Sequence, residues 1–296
     1  MIKKKILILG SNSQLSRCLF NNKNTNFKYY FLNKKQLDIT NFNQTQKIIN
    51  KIKPIVIINC IAFTNVDDAE DNKILVNRVN FIGVKNIIKS IHKLKILLVH
   101  FSTDYVYDGK KKYSYVETDT PKPLSIYGVT KLKGDSLIIN NYNFYLIFRI
   151  SWLYSEYGNN FLLSFVKSLR NKSTLNVVNN NLGRPTNAND LAKFVFFAIE
   201  KTLINPNLSG IYNFSDNGKY ISWFRLVQFI YSQMKIKGIK VPKLNKISQK
   251  LYKSKAPRPI NSRLNLKKIY YKFNFKPNNW KKNIIKEINK ILIKLR

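Results

Sequence analysis

Short apolar runs alternate with segments of helical spacing through the first half of the chain. Ile6-Leu7-Ile8-Leu9 is one such run, and residues 29–32, 55–59, 96–101 and 144–150 are others of strand length. Unbroken runs this short suit strands buried on both faces. Between them, residues from Gln14 onward, 41–52, 74–94 and 127–139 repeat apolar positions every three or four residues. That is the period of helices that bury one face. Strands separated by helices predict an α/β fold, a doubly wound parallel sheet with right-handed crossovers. Ligands of such sheets bind beyond the carboxyl ends of the strands. Gly10, Ala62, Ser102-Thr103 and Ser151-Trp152 all fall just past predicted strand ends and are expected around one crevice.

The second half changes character. It reads as a helix over 159–169, a strand over 175–178 and a helix capped by Asn189-Asp190 running to about 203. A strand over 210–214, a helix over 223–234 and a basic amphipathic helix from 280 follow, while 237–255 has no clean period and reads as loop. The terminal helix is expected to pack one face and leave its lysines in solvent. No repeat or long linker divides the chain. The expectation is a dinucleotide-binding core over 1–150 and, over 151–296, mainly a small α/β substrate-binding lobe interleaved with that core.

The first strand breaks at Gly10-Ser11-Asn12-Ser13-Gln14-Leu15-Ser16. A buried strand that turns at a glycine into a helix is the opening of a Rossmann-type fold, with the pyrophosphate on the helix N-terminus. Three glycines are usual there, and this chain has Gly10 with serines at 13 and 16. The end of the second strand reads Leu32-Asn33-Lys34-Lys35, where an acidic residue often grips the ribose 2′-OH of NAD. Asn33 and two lysines remove repulsion toward a 2′-phosphate, so NADPH is the expected cofactor, with NADH also accepted.

Ser102-Thr103-Asp104-Tyr105 ends the fourth strand, and Tyr127-Gly128-Val129-Thr130-Lys131 opens the helix after it. A tyrosine and a lysine four residues apart share a helix face. A nearby ammonium favours the phenolate and lowers the phenol pKa, so the pair is expected to pass a proton to a sugar or alcohol oxygen.

Composition narrows the class. The chain has 296 residues, 44% hydrophobic and 13% aromatic, enough for a sizeable core. Cys18 and Cys60 lack metal-ligand spacing and fit a reducing cytoplasm, and His92 and His100 are too few and scattered for zinc. No apolar run approaches the ~20 residues of a membrane span. The formal net charge of +37 invites a nucleic-acid reading. The charge is mostly Lys rather than Arg, spread along the whole length, and accompanied by heavy use of Asn and Ile. Such a drift in composition argues against a nucleic-acid interface, and neither nucleic acid nor membrane is an expected partner. The charge would still draw in an anionic nucleotide substrate.

The order and spacing of these motifs resemble the extended short-chain dehydrogenase/reductases, and within them the dTDP-4-dehydrorhamnose reductase branch. The resemblance runs nearly end to end, through Asp38-Ile39-Thr40, Asn59 to Asp67, Phe101 to Gly109, Ser125 to Gly134, Arg149 to Tyr154, Gly183 to Thr186 and Arg258 to Leu264. It implies an NADPH-dependent reductase of a dTDP-linked 4-ketosugar, cytoplasmic, a homodimer, supplying rhamnose for surface polysaccharide. By position, Tyr127 is the implied proton donor and Lys131 the group that holds the nicotinamide ribose and lowers the tyrosine pKa. Thr103 would orient the carbonyl, Asp104 contact sugar hydroxyls and Trp152 wall the sugar pocket. Asp38-Ile39 would border the adenine and Ile61-Ala62-Phe63 pack along the cofactor. The resemblance also implies Mg2+ held by carboxylates at a dimer contact, but the first helix offers Cys18 and position 189 is Asn, so no metal ligands are expected. The alternative is a catalytically weak, cofactor-binding regulatory subunit, against which the intact Thr103, Tyr127 and Lys131 argue.

Overall fold

The protein is described by a computed structural model over residues 3–171 and 173–295. The first half builds β1 (Lys4–Leu9), α1 (Gln14–Asn22), β2 (Phe27–Leu32), α2 (Phe42–Ile52) and β3 (Val56–Asn59). It continues with α3 (Val66–Asp71), α4 (Lys73–Asn77), a π-helical segment (Arg78–Ile82), α5 (Gly83–Ile91), β4 (Leu97–Thr103), α6 (Ile126–Asn141) and β5 (Tyr145–Ile150). The second half adds β6 (Leu153–Tyr154), α7 (Phe161–Asn171), β7 (Thr174–Val178), β8 (Leu182–Gly183), β9 (Thr186–Asn187), α8 (Ala188–Ile204) and β10 (Gly210–Phe214). It closes with β11 (Ile221–Ser222), α9 (Trp223–Ile236), β12 (Lys243–Ile247), α10 (Lys267–Phe273) and α11 (Trp280–Leu295).

Six parallel strands in the order β10-β5-β4-β3-β1-β2 make the central sheet. The side chains of Ile6 to Leu9 and Val56 to Ile58 are fully buried, as both-faced burial of a parallel sheet requires. The doubly wound sheet expected from the apolar runs is present, and its sixth strand comes from the second half of the chain.

Buried apolar side chains gather in two large clusters. One surrounds the central sheet and takes in Phe194, Ile199 and Phe214 from α8 and β10 and Phe273 from α10. The other joins α7, α9 and α11 through Leu162, Leu226, Ile230, Met234, Ile284 and Ile288. Trp280, Ile284, Ile288 and Ile291 give the terminal helix its packed face, while Lys294 points outward and is about half exposed.

Three expected elements differ. Residues 74–94 are not one α-helix, because the π-helical segment interrupts them. The cap of α8 is Asn187, whose side chain accepts from the Asn189 and Asp190 N–H groups, so those two residues occupy the first turn. Within 237–255, β12 pairs in parallel with β7. This ribbon is only half-buried, so no alternating apolar pattern marks it.

Candidate active site between two clefts

A cleft of about 410 Å³ lies past the carboxyl ends of β1, β2 and β3. Gly10, Asn12, Ser13, Asn33, Asp38, Ile39, Ile61, Ala62 and Phe63 line it, as their sequence positions predict. Gly10 has φ +84°, and a Cβ there would come within 2.9 Å of Ile61 Cγ1, so the turn needs glycine. Ser13, where a second glycine is usual, caps α1 by accepting from the Ser16 N–H at 3.2 Å. Ser11 faces an adjoining groove beside Arg17 and Asn33. Gln14 and Leu15 are not brought into the cleft. Gln14 accepts from Asn160 Nδ2 at 2.8 Å, and Leu15 packs in the core, because α1 turns both away.

Lys34 and Arg78 add positive charge to this cleft. Burial works against the Asp38 carboxylate, but hydrogen bonds from Thr40, then Lys34 and Arg78, outweigh it and hold its pKa below the usual value. Arg78 sits on the π-helical segment, and nothing in its sequence context marked it. The bare Gly10 backbone, the α1 N-terminus, the Ile61 to Phe63 wall and the two cations together fit a phosphorylated dinucleotide.

A second cleft of about 410 Å³ is lined by Tyr105, Trp152, Phe161, Asn181, Trp223, Tyr252, Arg258 and Ser262 among others. Trp152 adopts φ +48°, a strained conformation for a bulky residue, and stacks on Trp223 with centroids 4.2 Å apart. Arg258 donates to Asp67 Oδ2 at 2.7 Å and to the Tyr105 hydroxyl at 3.2 Å. The expected single crevice is thus two, Gly10 and Ala62 in one and Trp152 in the other.

The helix α6, which carries Tyr127 and Lys131, is tied to both clefts. Ser125 caps α6, its Oγ accepting from the Gly128 N–H at 3.2 Å. A Cβ on Gly128 would lie 2.3 Å from the Tyr105 carbonyl oxygen, so this glycine lets α6 close onto the turn after β4. The Tyr105 ring meets the Tyr127 ring edge-on, with centroids 5.6 Å apart. On the other side, Asn80 of the π-helical segment receives the Phe63 N–H at 2.8 Å and donates to Thr130 Oγ1 of α6 at 3.2 Å. The Thr103 hydroxyl donates to Asp104 Oδ1 at 3.1 Å.

The electrostatics depart from expectation. Burial pushes the Tyr127 phenol well above 10, with Thr103 opposing and Asp104 adding to the rise. Burial thus outweighs the lowering expected from Lys131; the Lys131 ammonium is itself lowered to about 8 by burial, against the pull of Asp135. Its Nζ lies 3.1 Å from Nε2 of His100, a residue not singled out as a site candidate. Burial raises the Asp104 carboxyl to about 6, opposed by hydrogen bonds from Ser262 and Thr103.

A family described as the RmlD substrate binding domain matches residues 4–293. A dTDP-4-dehydrorhamnose reductase of Aggregatibacter actinomycetemcomitans is 35% identical over 283 residues, covering 94% of this chain and 96% of that protein. The chain belongs to the dTDP-4-dehydrorhamnose reductase family. The Escherichia coli K12 member is 31% identical over 256 residues, covering 86% of this chain and 85% of its own. The Bacillus anthracis reductase, solved in complex with NADP, superposes with a TM-score of 0.89 at 31% identity, covering 98% of this chain and all of that one.

The magnesium contact implied by resemblance to this reductase family does not fit the side chains here. Burial raises the Cys18 thiol to about 12, and Asn189 donates to Glu287 at 3.0 Å. Lys290 binds Glu287 at 3.0 Å and Glu156 at 3.5 Å, and Lys294 also pairs with Glu156. These carboxylates are already neutralised by ammonium groups. Among the described residues, no group of three or more His, Cys, Asp and Glu could hold a metal, and no helix is long and apolar enough to cross a membrane.

Proposed function

We infer that the protein reduces the C4 ketone of dTDP-4-dehydro-β-L-rhamnose to dTDP-β-L-rhamnose with NADPH. The observation that supports this reading is that the helix carrying Tyr127 and Lys131 touches both clefts, Tyr127 packing edge-on against Tyr105 of the aromatic cleft and Thr130 joined through Asn80 to Phe63 of the dinucleotide cleft, in a chain of this family. NADPH supplies the hydride when bound. Gly10, Ser13 and the Ile61 to Phe63 wall hold the cofactor, with Lys34 and Arg78 toward its ribose phosphate. Burial keeps the Tyr127 phenol protonated, so it enters the reaction as an acid and gives its proton to the sugar O4. Thr103 orients the carbonyl, Asp104 meets sugar hydroxyls and Trp152 walls the sugar. The same reading assigns 1–150 to cofactor binding and 151–296 mainly to substrate, with α8 and β10 lent back to the core. It places the protein in the cytoplasm as a homodimer, which fractionation and sedimentation test.

The intact proton donor favours a working reductase over a regulatory subunit. The purified protein should consume NADPH absorbance with dTDP-4-dehydro-β-L-rhamnose and yield dTDP-β-L-rhamnose by mass and chromatography. Turnover only of other nucleotide ketosugars would overturn the substrate, and none with any of them would overturn the reductase.

A further inference from the structure

Beneath Lys131 a chain of hydrogen bonds runs across the sheet, and its direction is fixed at the far end. The Ile61 N–H donates to Asn59 Oδ1 at 3.1 Å, so Asn59 turns its amide nitrogen toward His100, with Nδ2 3.2 Å from Nδ1. An amide nitrogen can only donate. Nδ1 is therefore the acceptor, and the single proton of a neutral imidazole sits on Nε2. His100 is neutral, since burial holds its pKa well below 6.5. Its Nε2 lies 3.1 Å from Lys131 Nζ. An ammonium has three donors and no acceptor, so it would meet Nε2–H donor to donor, whereas an amine would accept that proton.

The other groups around this pair do not demand a charged lysine. Asp135 on α6 has Oδ1 3.8 Å from His100 Nε2, but its Oδ2 accepts from Ser102 at 2.5 Å and lies 3.8 Å from Arg149 Nε on β5. Arg149 balances the Asp135 charge, and Asn59 on β3 brings none. The Lys131 ammonium, lowered to about 8, is close enough to neutrality for the direction of the hydrogen-bond chain to decide its state.

We propose that Asn59 and His100 are positioning residues that hold Lys131 as a neutral amine in the free enzyme, by presenting Nε2–H to its lone pair. Protonating Lys131 then requires the His100 proton to move to Nδ1 and the Asn59 amide to turn. That turn releases the N–H of Ile61, a residue of the cofactor cleft wall. The charge on Lys131 and the cofactor wall are thereby linked. Its role in turnover rests on the reductase reading, but the protonation state of the free protein does not.

The chain has two histidines, and His92→Gln removes the exposed one, so ¹⁵N ring resonances of His100 can be assigned directly. In cofactor-free protein at neutral pH, Nε2 should carry the proton and Nδ1 none, and His100 should show no titration near its ordinary value of 6.5. A proton on Nδ1, or titration near 6.5, would overturn the proposal. Asn59→Asp keeps the side-chain shape but supplies only acceptors, and should move the His100 proton to Nδ1; an unchanged tautomer would also overturn it. His100→Gln offers a carbonyl to an ammonium and should shift the Lys131 limb of the kcat–pH profile upward by about one pH unit or more. A purely structural role would scale kcat at every pH and leave that limb in place. The spectroscopic outcomes need no sugar, so they remain decisive even if dTDP-4-dehydrorhamnose is not the substrate.

Discussion

At Tyr127 the burial that makes the residue a reliable acid also makes its conjugate base costly. The phenol is held well above 10, so at neutral pH it is protonated and ready to donate. Once the proton is gone, the phenolate depends on hydrogen bonding from Thr103 and on positive charge arriving with the oxidised cofactor. Tyr127→Phe removes only the acid, so kcat should fall on the order of 10²–10⁴-fold while NADPH affinity, read by fluorescence titration, stays nearly unchanged. Near-normal turnover by this variant would refute the assignment. Asn33 acts by the charge it lacks rather than by chemistry. It lines the cofactor cleft with Lys34 and Arg78, and its Oδ1 accepts from the Lys35 and Gln36 N–H groups. Exposed charges of this kind contribute about 0.2–1 kcal/mol per pair, which predicts a several-fold preference for NADPH over NADH. Asn33→Asp should reverse it, measured as the ratio of kcat/KM for the two cofactors at fixed ionic strength. An unchanged ratio would move 2′-phosphate recognition to Arg78.

Among the elements, α6 and the π-helical segment together set the spacing between the clefts. Gly128 and Gly134 strip α6 of side chain where it meets the Tyr105 and Asn80 carbonyls, and a Cβ at the latter would stand 2.7 Å from the Asn80 oxygen. The wider turn of a π segment re-aims a side chain within a helix, and here Asn80 spans from Phe63 to Thr130. Asn80→Ala strands the Phe63 N–H and carbonyl and should cost about 1–3 kcal/mol of stability for a buried unsatisfied group. Because Phe63 lines the cofactor cleft, KM for NADPH should rise more than kcat falls. A lower Tm with unchanged KM would separate packing from cofactor placement.

For the whole molecule, Asp216 is the joint between the two clusters. It follows β10, accepts from the Asn187 N–H at 3.0 Å, and receives the Tyr154 hydroxyl at 3.1 Å. Burial raises its carboxyl to about 7, opposed mainly by those hydrogen bonds and one from Asn283. A carboxyl whose folded pKa lies above its unfolded value favours folding while protonated. That contribution is lost as pH rises from the unfolded value near 3.8 through the folded one. Asp216→Asn removes the titration and can keep both contacts, since its amide can donate to the Tyr154 oxygen. Its Tm relative to wild type should therefore climb by a few °C between about pH 4 and 7 and level off above. A flat difference across that range would mean that Asp216 is ionised in the folded protein throughout.

The central sheet, the Gly10 turn and the register of Thr103, Tyr127 and Lys131 were legible in the sequence, because each follows from local periodicity. An apolar run buries as a strand, a glycine breaks it, and two residues four apart share a helix face. The half-buried β12, the π-helical segment and the Asn187 cap left no such period. Arg78 and Trp223 gained their places only when separate elements folded against the clefts. His100 and Lys131 are 31 residues apart, and Asn80 and Thr130 are 50 apart, so their meeting depends on how strands and helices cross. The reversal at Tyr127 has the same origin. Spacing along one helix placed the lysine one turn away, but desolvation, which depends on everything packed around the phenol, decided the direction of its pKa.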